Sequence, residues 1–417
     1  MLRVFVFATL PASALLIMAQ TTPPLAPPGI MLFANARAKM QSHLKGQPNY
    51  ICLETIERSQ RDARKKRDSL LDVLRLEVAV IGHKEMYAWP GSNRFDDTEL
   101  VDMVPRGGTI GSGAFEIHAW NLFFSGGPSI GPAEWTMIKG HRLARYPYDV
   151  TQLSSSFRLS VNRSRDWTVV AYHGSIWIDP ESEEVTRIQI IADQIPPQLG
   201  LLQTDTVVDF GEIQIDGQPY RLPVETSETV TMFSGVEDRN AGRFSACRRF
   251  VGESKLVFGD VPPAADKPPA PMLTTVTLPA GLAIDLELLT PVDSDSSKTG
   301  DPIEGVLASS IKHKKQILFE KGSRVDGRLV RLQKNGRSIE AELRFYSISS
   351  ATQQADFTGI AEAANTALEP MPSAFEAVPG QVGRIRIRLW GDRLNVRRGK
   401  RIRWVTTAPP RVATEGH

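Results

Sequence analysis

What this sequence lacks is any set of residues that names a reaction. It has no His-Glu-x-x-His pair, no Gly-Lys-Ser/Thr phosphate loop and no strand–Gly-x-Gly-x-x-Gly–helix order. His43, His83, His118, His141, His173 and His313 have neither a histidine four residues away nor a cysteine at ligand spacing, so no metal or other cofactor is expected. An excess of one charge is also missing. With 49 Lys and Arg against 47 Asp and Glu, the net charge of +2 sets up no global field, and nucleic acid is not an expected partner. Cysteine is nearly absent, with Cys52 and Cys247 alone, which excludes a small disulfide-stapled scaffold and a thiolate metal cluster.

Long apolar runs are confined to the N-terminus. Arg3 precedes Val4 to Ala19, apolar except for Thr9, Pro11 and Ser13, and a polar, proline-rich stretch from Gln20 to Pro28 follows. This is the three-part pattern of a secretory signal peptide, with cleavage after Ala19 expected and Ala14 as the alternative. The run is shorter than the roughly 20 residues that cross a bilayer, so the mature chain is expected to have no transmembrane span. Export to the periplasm or the outer membrane follows, and in that compartment Cys52 and Cys247 are expected to form a disulfide. The bridge would make the residues between the two cysteines one folding unit.

The clearest pattern in the mature chain lies at Leu71 to Pro90. Leu74, Leu76, Val78 and Val80 alternate with Arg75, Glu77 and Ala79, the period of a strand with one buried face. Gly82, His83 and Lys84 supply a turn, and Glu85 to Trp89 reads as the return strand of a hairpin. Ahead of it, Ile30 to Leu44 carries a helical apolar stripe and Asn49 to Ser59 a strand, followed by a basic loop from Arg61 to Arg67. Behind it, the glycines of Arg106 to Gly113 lead into an apolar helix over Ala114 to Phe124. From Glu134 onward strands recur, two of them joined across Asp216-Gly217, a strong hairpin dipeptide. A proline-rich linker, VPPAADKPPAP, then separates a second set of short strands with Gly, Pro and Asp/Ser turns. The expected organisation is a signal peptide at 1–19, a leader at 20–29, a curved antiparallel sheet with covering helices at 30–258, a linker at 259–272, a small β-barrel or sandwich at 273–405 and a tail at 406–417. The expected fold class is mainly β.

Three stretches carry a resemblance. The helix-to-strand entry from Met40 to Thr55, LRLEVAVIGHKEMYAW with its tryptophan-ended strand, and YHGSIWIDPESEEVTRIQI together resemble the outer-membrane lipoprotein carrier and sorting fold, an incomplete barrel wrapped round a helical plug. That resemblance spans roughly Ile30 to Phe258. In the second set of strands, LPAGLAIDLELLTPVDSDSSKTGDPIEGVLASSI and ILFEKGSRVDGRLVRL are similar to the small barrel of bacterial conjugal-transfer channel proteins.

Candidate functional residues are aromatic and basic. Trp89, Phe115, Trp120, Phe123 and Trp177 belong to strands or to the helix that would face the concavity, where they would line a slot for an acyl chain; ordinary core is the competing reading. Arg384, Arg386 and Arg388 alternate with Ile385, Ile387 and Leu389, and Arg397 and Arg398 follow, a basic stripe suited to an anionic envelope component or to plain solvent exposure. Asp96, Asp97 and Glu99 form an acidic cluster with a surface loop as its simpler explanation. The expected function is therefore a non-enzymatic envelope protein that binds an apolar ligand, a lipid or a lipidated protein. A structural module assembling with other envelope proteins is the alternative, and a hydrolase comes third.

Overall fold

The computed structural model describes residues 28–62, 68–82, 84–92, 95, 100–104, 107–112, 117–160, 167–250, 273–335, 337–362 and 373–407. The expected signal peptide and linker, Phe115 and the acidic cluster at 96–99 lie outside these residues. The protein is mainly β, as its alternating patterns require.

The first body is one long antiparallel sheet. Its strands are β1 (Tyr50–Arg61), β2 (Asp68–Ile81), β3 (Lys84–Ala88), β4 (Ser129–Ile130), β5 (Glu134–Ile138), β6 (His141–Val150), β9 (Ala171–Asp179), β10 (Glu184–Asp193), β11 (Leu201–Ile215), β12 (Gln218–Met232) and β13 (Glu237–Arg249), while β7 (Arg158–Leu159) and β8 (Thr168–Val169) form a separate short ribbon. The spatial order is β3-β2-β1-β13-β12-β11-β10-β9-β6-β4, with β5 beside β4 on the same edge of β6, paired to its first half. The first strand thus lies beside the last, and the chain between them runs as a meander. The β11–β12 hairpin turns at Asp216-Gly217, both with positive φ, as the dipeptide predicts.

Period-two alternation decides the inner face. Leu74, Leu76, Val78 and Val80 of β2 are all buried, and Tyr50, Cys52, Glu54, Ile56 and Arg58 of β1 share that side. Two helices cover one part of it. Helix α1 (Pro28–Gly46) buries Ala36, Met40 and Leu44, spaced four apart along one stripe, against β9 and β10. A short helix, α2 (Leu100–Met103), places Leu100 and Val104 over the β1–β3 end, and α3 (Ile117–Phe124) buries Ala119, Leu122 and Phe123. The carbonyl of Phe123, in the last turn of α3 and without an intrahelical partner, accepts hydrogen bonds from Arg37 Nε (3.0 Å) and Gln41 Nε2 (2.7 Å), which ties the two helices together.

Cys52 and Cys247 are bridged, with Cα atoms 4.0 Å apart, so the disulfide staples the neighbouring strands β1 and β13. The pairing slips there: Ile51 faces Arg248 and Leu53 faces Ser245, leaving Cys52 opposite two residues, one of them Ala246 at φ 49°. This is a β-bulge.

The second body is built on a ten-stranded sheet whose longest strands, Arg324–Asn335 and Ser338–Ser349, form a hairpin. Its core includes Leu286, Leu329, Leu343, Phe345, Phe357 and Trp404. Ser373–Ala377 is a strand that lays Phe375 on the core, and Thr406, expected at the start of the tail, is buried at the end of the final strand.

The two bodies touch through a backbone contact. Thr299 N donates to Val73 O at 3.0 Å, and Arg75 N donates to Thr299 O at 2.8 Å, a single parallel bridge to β2. The Arg75 guanidinium meets Asp301 at 2.8 Å. The next residue, Gly300, has φ 105°, and a Cβ there would lie 2.2 Å from Arg75 O, so the approach requires glycine.

Candidate ligand-binding site

A cavity of about 960 Å³ opens on the inner face of the first sheet. Its floor is Glu54 and Ile56 of β1, Thr204 and Thr206 of β11, Thr226, Glu228 and Val230 of β12, and Asn240 and Gly242 of β13. Its cover is Val101 and Val104 at α2, the 107–112 loop, His118 at the start of α3, and Phe157 to Ser160. Ser112, Arg158, Trp167, Gly200 and Ser234 are exposed lining residues and form the rim.

The cover is held by a polar network built where the alternation would place apolar side chains. Arg58, 1% exposed, makes two hydrogen bonds to Asp72, 2.8 Å from Nε to Oδ1 and 2.7 Å from Nη2 to Oδ2. Arg58 Nη1 also donates to Gly107 O at 3.0 Å, and Asn240 Nδ2 donates to Thr109 O at 3.1 Å and to Glu228 Oε2 at 2.8 Å. The glycine loop is thereby pinned to the sheet at Gly107 and Thr109, which differs from the free connection its composition suggests. Gln60 donates to Asp238 Oδ1 at 2.9 Å, while Asp238 Oδ2 is buried without a partner.

Two carboxyls face the cavity. Burial raises the Glu228 carboxyl, with the Asn240 hydrogen bond opposing the rise and Asp238 adding to it. Glu54 is 8% exposed and is pushed up to about 8, chiefly by burial and secondarily by Glu85. Burial holds His118, whose ring lies 5.7 Å from that of Phe157, down to about 4, so its imidazole is neutral near pH 7.

The raised Glu54 value has a measurable consequence. The folded chain keeps a proton that the unfolded chain releases between about pH 4.5 and pH 8, so this contribution is fully present at low pH and is lost as pH rises through 8. Thermal unfolding should show a loss of roughly 2 kcal/mol between pH 6 and pH 8 that Glu54→Gln removes. A Gln variant with the same slope over that window would show that Glu54 is ionised in the folded state.

The expected aromatic residues do not gather at this cavity. Trp177 shares β9 with Ile176 and Ile178, which face the helices; it therefore points to the opposite side, where the guanidinium groups of Arg145 and Arg187 each lie 6.0 Å from its ring. Trp120 stacks on Phe124 with centroids 4.0 Å apart, and Phe123 is fully buried beneath α3. Trp89 lies at the junction of the two bodies, with Arg328 5.6 Å from its ring. The tryptophan that does line the cavity is Trp167, 46% exposed.

The arginine stripe is brought together as its alternation predicts, but its charge is compensated. Arg384 pairs with Glu342 (2.8 Å), Arg386 with Glu340 (3.4 Å) and Glu342 (3.5 Å), and Arg388 with Glu340 (3.0 Å) and Glu376 (3.5 Å). Arg397 and Arg398 are exposed in the turn before the last strand. Among the described residues no group of His, Cys, Asp and Glu is arranged to hold a metal ion, and no helix is long and apolar enough to cross a membrane.

No family model and no curated protein matches this sequence. Among solved structures, the chain is similar to a LolA superfamily protein from Nitrosomonas europaea at TM-score 0.27 and 9% identity, over 55% of this chain and 97% of that one. It is also similar to a DUF1329 family protein from Desulfovibrio piger at TM-score 0.28 and 11% identity, over 54% and 95% of the two chains. A third similarity, to MucB in complex with MucA(peri), has TM-score 0.17 and 9% identity over 88% and 92%.

Proposed function

We propose that the protein is an exported, non-enzymatic envelope protein whose first body holds an apolar ligand, a lipid or the lipid part of a lipidated protein, in the cavity beneath α2 and the 107–112 loop. The observation that carries this reading is the cavity itself. Its volume of about 960 Å³ is in the range of small-molecule sites, and Ile56, Val101, Val104, Leu159, Val230 and Met232 line it. The second body braces the first.

The test uses the whole mature chain. N-phenyl-1-naphthylamine, an uncharged apolar dye, should bind saturably and quench Trp167, and Met232→Trp should weaken its binding by about tenfold or more by filling the cavity. Binding that ignores the Met232 change would place the ligand elsewhere. Native mass spectrometry of protein from its own host gives the independent readout: a co-purifying lipid supports this reading, and a reproducible protein partner with no small molecule favours the interaction module.

A further inference from the structure

The cavity's acidic interior gives its ligand a polar end. Glu54 is more than nine-tenths buried, lines the cavity and makes no hydrogen bond or ion pair with any described residue. Beside it, a Cβ on Gly242 would stand 2.3 Å from Thr226 Oγ1 and 3.3 Å from Glu54 Oε1, so the two oxygens converge over residue 242 only because it is glycine. Glu228 adds a second carboxyl across the same floor, with one oxygen taken by Asn240. A buried carboxyl left without a donor is costly unless something else supplies one.

We infer that the site takes an amphiphile bearing an ammonium group, with the cation seated between Glu54 and Thr226 and the chain along the apolar wall. This rests on the apolar-ligand reading and adds the class of headgroup. The charged and titratable groups turned toward Glu54 agree with it. Glu85 and Tyr87 stand on β3, Glu228 on β12 and neutral His118 on α3, while Arg158, the one Lys or Arg among the lining residues, is exposed at the rim. Arg58, the nearest inward cation on the same strand, is already engaged by Asp72. A cation entering the cavity therefore meets two carboxyls, whereas a carboxylate entering it meets them unscreened. Since the empty cavity keeps Glu54 protonated to about pH 8, binding of a permanent cation there displaces that proton and strengthens as pH rises.

Three probes with one chain length separate headgroup from chain: dodecyltrimethylammonium, dodecanol and dodecanoate, each titrated below its micellar concentration into the whole mature chain by calorimetry. At pH 8.5 the ammonium should bind at least about tenfold more tightly than dodecanoate, and its advantage over dodecanol should shrink on lowering the pH to 6.5. Glu54→Gln should remove that pH dependence and the ammonium preference while dodecanol still binds, which also shows that the variant is folded. Glu228→Gln should have a smaller effect. Equal binding of all three, a preference for dodecanoate, or an unchanged preference in Glu54→Gln overturns the headgroup assignment and leaves the apolar-ligand reading in place. Failure of all three to bind overturns both.

Discussion

Replacing Arg58 with methionine should lower the unfolding free energy by about 3–5 kcal/mol, the cost of stranding a buried charge. Asp72, 2% exposed, loses both of its hydrogen bonds from Arg58, and Gly107 O loses its donor. Water cannot replace a partner at a site this closed, so the whole desolvation penalty appears in the mutant. The pair itself is a different matter, because two charges taken out of water together recover little net stability. The double variant Arg58→Met with Asp72→Leu should therefore regain much of the loss in chemical denaturation. A single variant as destabilised as the double one would mean that the 107–112 loop, and not the stranded carboxylate, sets the cost. Amide exchange at Thr109 and Ile110 reports the loop separately, and it should quicken in both variants since both lose its anchor.

Reduction of Cys52–Cys247 should cost up to about 5 kcal/mol on the chain-entropy account, because the bridge joins residues 195 apart in sequence. The staple sits at a bulge between the first and last strands of the meander, so it closes nearly the whole first body. Thiol labelling of the denatured, non-reduced mature chain should find no free cysteine. Denaturant midpoints with and without reductant, and for the Cys52→Ala, Cys247→Ala double variant, give the magnitude. If the midpoint is unmoved by reductant, the β1–β13 pairing alone holds the closure.

Much of the sheet was legible because alternation is local. Leu74 to Val80 needed only its own period to declare a buried face, and Asp216-Gly217 only its own backbone preference to declare a turn. The cavity was not. Tryptophans suit an acyl slot as large apolar groups, yet Ile176, Trp177 and Ile178 already place Trp177 on the face opposite its isoleucine neighbours once either isoleucine is assigned inward. The better signal is Glu54 and Arg58 sharing parity with Tyr50, Cys52 and Ile56, the buried apolar residues on that side of the strand. Charged residues at core parity need partners or a cavity. Arg58 meets Asp72 on β2, while the cavity that Glu54 faces is floored by Glu228 on β12 and Asn240 on β13, and no local pattern connects these stretches. The arginine row of the second body repeats the lesson: its alternation is local, whereas Glu340 and Glu342, which cancel its charge, lie on the neighbouring strand more than forty residues earlier.

The bridge between Thr299 and β2 has a meaning for how the chain stays single. β3 pairs with β2 only from Glu77 to Ile81, so the β2 segment before Glu77 carries backbone groups on a free sheet edge. Such an edge is a template for another chain, and proteins suppress it with a cover or a charge. Here the cover is the second body, whose 299–301 turn occupies the groups of Val73 and Arg75 and sets Asp301 against the Arg75 side chain. A chain ended before that turn would keep its cavity and its disulfide but would expose an open, leucine-rich edge to every other copy, making self-association the characteristic failure of the truncated molecule.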